Sequence, residues 1–257
     1  MILAALVQFV VCFLILRWLL KKKTGEPYSR KTVTRFVVFG AIGVVLWFAL
    51  SLALPLESDT FFGMNPILSG FLTALISAAL IEELVKYSMF RLAIRKNQEV
   101  VCWLDAIIAA IAVGIGFTLL EDMTYLFDGA GTILRAFVPG HLLFQGLMGY
   151  YYGKARVTKQ FKYHLLSLVV PILVHTLFDM FITGLLSIVG NSEELTSLTE
   201  EQIADLPYYN YLIPMLIGAV AVIIFSLIAL ILFLRKIAVW SREGEKQELL
   251  NIENSGV

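Results

Sequence analysis

The apolar run from Ile67 to Phe90 carries two adjacent carboxylates and a lysine, Glu82, Glu83 and Lys86, well inside it. About 20 residues rising about 1.5 Å each cross the hydrocarbon core of a bilayer, so this run is expected to be a membrane-spanning helix. A carboxylate near the bilayer centre costs roughly 2.5–3.5 kcal/mol even on insertion scales, so such residues face a bundle interior or a wet cavity. Lys86 explains locally why they are tolerated. Glu82 is four residues from it and Glu83 three, so one ammonium serves both acids from one helical face. An ion pair that merely locked helices together would need one acid, and the second one points to chemistry.

Six further apolar runs accompany it, making seven in all: Ile2–Leu20, Phe36–Pro55, Ile67–Phe90, Leu104–Phe127, Gly140–Gly153, His164–Val189 and Tyr211–Leu234. With 59% hydrophobic and 16% charged residues over 257 positions, and a mean hydropathy of +0.82, the chain is neither an ordinary soluble domain nor disordered. It reads as an all-α, polytopic membrane helix bundle of about seven transmembrane helices. The zero net charge hides a segregation. Lys21, Lys22, Lys23, Arg30, Lys31 and Arg35 follow the first run, and Arg91, Arg95 and Lys96 follow the third. Lys154, Arg156, Lys159 and Lys162 follow the fifth, and Arg235, Lys236, Arg242 and Lys246 the seventh. The alternate loops hold Glu57, Asp59, Asp128, Glu193, Glu194, Glu200, Glu201 and Asp205 with Arg135 as their only basic residue. By the positive-inside rule the amino terminus is outside and the carboxyl terminus cytoplasmic.

Residues 1–234 are therefore expected to form a single seven-helix transmembrane domain, with a catalytic core at about 67–189, and 235–257 a cytoplasmic tail, solvated and partly helical. The first run has no basic residue before its apolar core and three lysines after it, the reverse of a signal peptide, so an uncleaved helix is expected. The acidic stretch Asn191–Asn210 is too small for a core of its own, with room for a short amphipathic turn around Leu195–Ile203. Cys12 and Cys102 suggest neither a disulfide nor a metal site and read as packing residues. Multi-pass insertion in a cell membrane implies lipid as a partner, and no nucleic acid is expected.

Ionisable groups recur on three other runs. Phe117 and Glu121 are four apart, followed by Asp122; His175 and Asp179 are four apart and share a face; His141 opens the fifth run with Gln145 one turn on. Glu82, Glu83, Glu121, His141, His175 and Asp179 thus lie on four helices, and their coincidence matters more than any member. Neutral His with carboxylates is the vocabulary of a hydrolytic zinc site, and the same groups suit metal-free general acid/base work. No His-Glu-x-x-His motif is present, so metal ligands would have to converge from separate helices. Asp179 is placed to fix the tautomer of His175. Asp105 and Asp122, near run ends, are expected to be solvated, His164 to be a boundary residue, and Gly114 and Gly116 to permit close helix approach.

Glu82-Glu83-x-x-Lys86, Phe117-x-x-x-Glu121 and His175-x-x-x-Asp179, in that order on successive helices, resemble the signature of the PrsW family of intramembrane proteases. The stretch from Pro139 through His141 to Met148-Gly149-Tyr150-Tyr151 is also similar, and the likeness spans about Ile67 to Phe181. The family is distantly similar to the CAAX prenyl proteases, whose second motif has His where this chain has Glu121. The resemblance implies a bacterial plasma-membrane protease making the first, site-1 cut in a membrane-anchored anti-sigma factor, a single-span substrate, to trigger a stress response.

The expected arrangement is a wet cavity among the third to sixth helices. There Glu82 or Glu83, with Glu82 preferred for its place relative to Lys86, takes a proton from the attacking water. His175, backed by Asp179, binds a metal or stabilises the oxyanion, and Glu121 and His141 complete a metal shell or position the water. Lys86 and Phe117 support. His175, Glu121, His141 and Asp179 are the candidate metal ligands, with zinc the candidate ion and a metal-free mechanism left open. A proton- or ion-coupled transporter would use the same buried relays, although no internal repeat or matched pair of broken helices accompanies them. A non-catalytic scaffold that binds a partner's helix is the third reading.

Overall fold

No water reaches backbone groups in a bilayer's hydrocarbon, so an apolar run that crosses it closes its hydrogen bonds internally as a helix. In the computed structural model, which describes residues 2–53, 61, 64–124, 140–189, 199–205 and 208–255, the described chain is helical and without strands. The helices are α1 (Ile2–Leu20), α2 (Arg30–Ala53), α3 (Pro66–Leu72), α4 (Leu80–Ile94), α5 (Trp103–Thr124), α6 (Gly140–Thr158), α7 (Phe161–Val189), the short α8 (Glu200–Ala204) and α9 (Leu212–Ser255). Five helical stretches are long and apolar enough to cross a membrane: Arg30–Ala53, Pro66–Ile94, Trp103–Thr124, Phe161–Leu185 and Tyr209–Gly244. Glu57, Asp59, Asp128, Arg135, Pro139, Glu193 and Glu194, and with them most of the acidic loops, lie outside the described residues. Within Asn191–Asn210, α8 is closed by a capping box in which Thr199 and Gln202 exchange side-chain and backbone hydrogen bonds.

One span departs from a plain helix. Between α3 and α4 the residues Thr73–Ala79 form a π-helical stretch, so the run read as one helix is α, then π, then α. The Thr183 hydroxyl of α7 donates to the Gly70 carbonyl of α3, three residues before the stretch begins (2.9 Å). The wider turns reset the direction in which Glu82 and Glu83, just beyond, face their neighbours.

Helix α5 is the axis. It packs against α1, α2, α4 and α6, and every residue from Leu104 to Thr118 is buried. Its sequence is apolar on all sides, as a helix enclosed by other helices must be. Lipid tails are as apolar as side chains, so helices in a bilayer associate by close packing rather than by escape from water. Glycine makes that possible at the α2–α5 crossing, where a Cβ on Gly40 would strike the Val113 carbonyl and one on Gly116 the Val37 carbonyl. The expected role of Gly116 is thus met. Two apolar clusters result, one joining α2, α4 and α5 around Phe36, Phe90 and Phe117, the other joining α1, α5, α6 and α9 around Ile107, Ile111 and Phe144.

Two aspartates expected to be solvated are instead buried, because each caps or pairs across helices. Asp105 turns back onto the N–H groups of Val101 and Cys102 (2.8 and 3.0 Å), is bonded by the Tyr28 hydroxyl (2.9 Å) and faces Lys23 (3.5 Å). Asp122 accepts from Gln8 of α1. Helix α9 runs on past Leu234: Ile237 is buried and the Trp240 ring stacks on Tyr150 and meets Trp103 edge-on.

Several basic segments meet at one end of the bundle. Glu99 accepts from the Ser29 N–H and hydroxyl (both 2.7 Å) and the Thr32 hydroxyl (2.8 Å), and Arg35 donates to the carbonyls of Leu92 (2.9 Å) and Arg95 (3.1 Å). Arg156 reaches the Val100 carbonyl.

Two predictions follow from these contacts. Gly40→Val, which drives a branched side chain into the α5 backbone, should lower stability by about 1–3 kcal/mol through overpacking. Thermal unfolding in detergent measures it, with lipid-facing Ile42→Val as the neutral control. At Glu99, desolvation raises the carboxyl pKa, but the hydrogen bonds from Ser29 and Thr32 outweigh it and hold the group below the ordinary carboxylate value. Its contribution to stability is therefore present above that ordinary value and lost as pH falls through the lower, folded one. Unfolding midpoints of Glu99→Gln and the native chain across acid pH should converge at the low end.

Candidate active site

Helix α4 delivers Glu82, Glu83 and Lys86, all buried, to the face it turns toward α5, α6 and α7. The Lys86 ammonium lies 2.8 Å from Glu82 Oε2 and 3.0 Å from Glu83 Oε1, the double pairing that the three- and four-residue spacings predict. The same ammonium is 2.8 Å from His141 Nδ1 on α6 and 4.3 Å from the centre of the Phe117 ring on α5. From α7, His175 presents Nδ1 to Glu83 Oε1 at 3.0 Å. Glu121, on α5, lies 2.8 Å from His141 Nε2, and Asp179 lies 3.0 Å from His175 Nε2.

The two histidines are therefore arranged alike. Each turns Nδ1 inward, toward Lys86 or Glu83, and each is backed at Nε2 by a carboxylate, Glu121 for His141 and Asp179 for His175. A carboxylate behind an imidazole fixes the ring's orientation and tautomer, the usual support of a metal-binding or proton-transferring histidine. The rings lie 5.3 Å apart, edge to face, and Phe144 stacks on His175 at 4.7 Å.

All eight residues singled out from the sequence, Glu82, Glu83, Lys86, Phe117, Glu121, His141, His175 and Asp179, thus meet at one place, while His164 lies away beside Tyr152. Two further residues belong with them. Gln145 is buried and donates to Glu83 Oε2 at 3.0 Å, and its one-turn spacing from His141 was the signal for it. Phe144 had none, since an aromatic residue in a membrane helix looks like any other. Gly114 makes room for Gln145, because a Cβ there would meet the Gln145 side chain.

The donors that approach one another most closely are Glu82, Glu83, His141 and His175, whose ligand atoms all lie within 4.8 Å of one another. Two imidazole nitrogens and two carboxylate oxygens are a donor set suited to zinc. Glu121 and Asp179 stand behind this set, on the far nitrogens of the rings. The residues present thus fit a divalent ion, with one competitor: the Lys86 ammonium already touches three of the four donor residues.

The sequence model of the PrsW family of intramembrane metalloproteases matches residues 28–197. The chain belongs to the PrsW family. Among its relatives, Protease PrsW of Geobacillus kaustophilus is 33% identical over 161 residues, covering 60% of this chain and 68% of that protein. Protease PrsW of Oceanobacillus iheyensis is 30% identical over 171 residues (64% and 75%). That of Bacillus subtilis is 31% identical over 169 residues (62% and 75%). No solved structure matches the chain. It is a multi-pass bacterial membrane protein and an intramembrane protease, acting on membrane proteins in a lipid environment.

Lys86→Met separates pairing from metal binding. Without a metal, the variant leaves buried carboxylates uncompensated, at a cost of about 3–5 kcal/mol, and should melt lower than the native chain. Zinc should then bind it more tightly than the native chain and restore more of its melting temperature, as read by competition with a chromophoric chelator and by thermal unfolding. Equal zinc affinity in the two proteins would show that ammonium and ion do not contend for the same donors.

Proposed function

We propose that this protease makes the first, site-1 cut in a single-span membrane protein of the anti-sigma-factor kind, with Glu82 as general base. The observation that carries the assignment is the unequal commitment of the two glutamates. Glu83 is held through both oxygens, Oε1 by Lys86 and His175 and Oε2 by Gln145. Among the described residues Glu82 is held by Lys86 through Oε2, and its Oε1 is the atom assigned to take the proton of an attacking water and return it to the leaving amine. Glu83 is then the positioning residue that ties α4 to α6 and α7.

His175 and His141 orient the water and the scissile carbonyl, and their carboxylate partners stabilise the positive charge that either ring acquires. Glu82, Glu83, His141 and His175 are the residues that would hold a zinc ion, which when bound would supply polarisation of the carbonyl and acidification of the water. Enclosure is part of the chemistry: Glu83, Lys86 and Gln145 are fully buried, so their dipoles and charges act in a medium that screens them little.

The topology we assign is seven spans, residues 1–234 with the core at about 67–189, amino terminus outside and carboxyl terminus cytoplasmic. The joining of the segments around Ser29, Arg35, Glu99, Arg156 and Trp240 at one end of the bundle supports it, as does their charge. Single cysteines placed within 191–198 and at Lys159 test it. An impermeant thiol reagent on intact cells should label only the first, and labelling at Lys159 would overturn the assignment.

Glu82→Gln should cut the rate by about 10²–10⁴ with normal folding. Glu83→Gln should lose stability and activity together, because it weakens the bonds to Lys86 on its own helix and to α6 and α7. Co-expression with a candidate single-span substrate, following full-length and cut forms, together with thermal unfolding of each variant, is the measurement. Full cleavage by Glu82→Gln would remove Glu82 from the role.

A further inference from the structure

The carboxyl-terminal end of α4, the loop after it and α6 enclose a second, chemically different site. A cavity of about 840 Å³ is lined there by Arg91, Arg95, Lys96, Arg156, Asn97 and Tyr152 among others, and no acidic residue lines it. Among the described residues none of the four cations forms an ion pair. Four positive charges around one concavity repel one another and raise the local concentration of anions.

The surroundings keep other partners away. Glu99, the one acid of the loop, is occupied by Ser29 and Thr32. The carbonyls of Leu92 and Arg95 at the end of α4 are taken by Arg35, so they do not draw the lining guanidinium groups onto themselves. Arg156 is half-buried and fixed by the Val100 carbonyl at 3.3 and 3.4 Å. Lys96 has φ of 57°, the left-handed conformation that a helix end usually assigns to glycine. A long cationic side chain is kept at a position where the backbone favours none.

We propose that this cavity binds a phosphate group, carried by an anionic phospholipid headgroup or by a free phosphate. Guanidinium groups match phosphate oxygens in pairs. Basic pockets between membrane helices on the cytoplasmic side suit anionic head groups, and the volume admits more than a lone ion. Its cytoplasmic placement rests on the topology proposed above, whereas its ligand chemistry does not. The site also bears on the protease, since Arg91 is five residues, about 7.5 Å of helix rise, from Lys86. A bound phosphate therefore anchors the end of the helix that carries Glu82 and Glu83.

The test uses the full chain, delipidated in a neutral detergent. It is titrated calorimetrically with short-chain phosphatidylglycerol, with phosphatidylcholine of the same chain length, and with inorganic phosphate and pyrophosphate. Lys96→Gly suits the left-handed backbone and so spares the fold, and Arg95→Gln is a second variant. Lys159→Gly is the matched control, an exposed cation at the same φ of 57° outside the cavity. We expect saturable binding of phosphatidylglycerol but not phosphatidylcholine, weakened about tenfold or more by Lys96→Gly and by Arg95→Gln, and unchanged in Lys159→Gly. If the free phosphates bind with the same variant pattern and phosphatidylglycerol does not, the site stands and its ligand is soluble. Absence of saturable binding by every phosphate probe, or equal weakening by Lys159→Gly, would overturn it and leave only the scattered charge of a cytoplasmic face. No step of this measurement uses proteolysis, so its failure leaves the assignment of Glu82 untouched, and the converse holds.

Discussion

One ammonium held among buried acids is the interaction on which this structure turns. Lys86 bonds to Glu82 and Glu83 from its own helix, touches His141 on α6 and lies over Phe117 on α5. In a poorly screened interior such contacts are strong, yet removing the charges from water costs several kcal/mol per ion, so the pair is weak evidence of stabilisation for its own sake. Its use is to let two carboxylates exist side by side where each alone would be costly to bury. Four carboxylates, counting Glu121 and Asp179, face one ammonium and two imidazoles. The negative charge left over is what a divalent ion or captured protons would balance, and both routes lead to hydrolytic chemistry.

The cluster's geometry is inherited from close packing that owes nothing to charge. Gly40 and Gly116 let α2 lie against α5, and Gly114 gives Gln145 the space from which it reaches Glu83. Because lipid offers no hydrophobic incentive to associate, these bare backbone contacts and the interhelical hydrogen bonds carry the bundle. The π-helical stretch before Glu82 belongs to the same economy. It takes up the difference between what α3 needs for packing on α7 and the direction in which α4 must point its acids.

Charge organises the molecule a second time, at the end where the basic segments gather. Glu99, Asp105 and Arg35 join α1–α2 and α4–α5 there through hydrogen bonds to loop backbone and hydroxyls, while Arg91, Arg95, Lys96 and Arg156 form no ion pair among the described residues. Helix α4 runs between the two electrostatic centres, one a buried cluster with acids in excess and the other a concavity lined by cations.

The sequence by itself determined the helices, the family and the membership of the cluster. Helical runs are visible because a bilayer demands long apolar stretches, and Glu82, Glu121, His141 and His175 are conspicuous because lipid forbids them without a reason. What it could not determine was direction and partnership. Apolar residues on every face of each run erase the periodicity that would reveal which face is inward, so the enclosure of α5, the stacking of Phe144 and the burial of Asp105 and Asp122 were settled only by packing. The unequal hydrogen bonding of Glu82 and Glu83, and the inward Nδ1 of both histidines, likewise depend on distances between helices far apart in sequence. Those distances are set by glycines, one π-helical stretch and a single lysine, and they exist only once the helices have met.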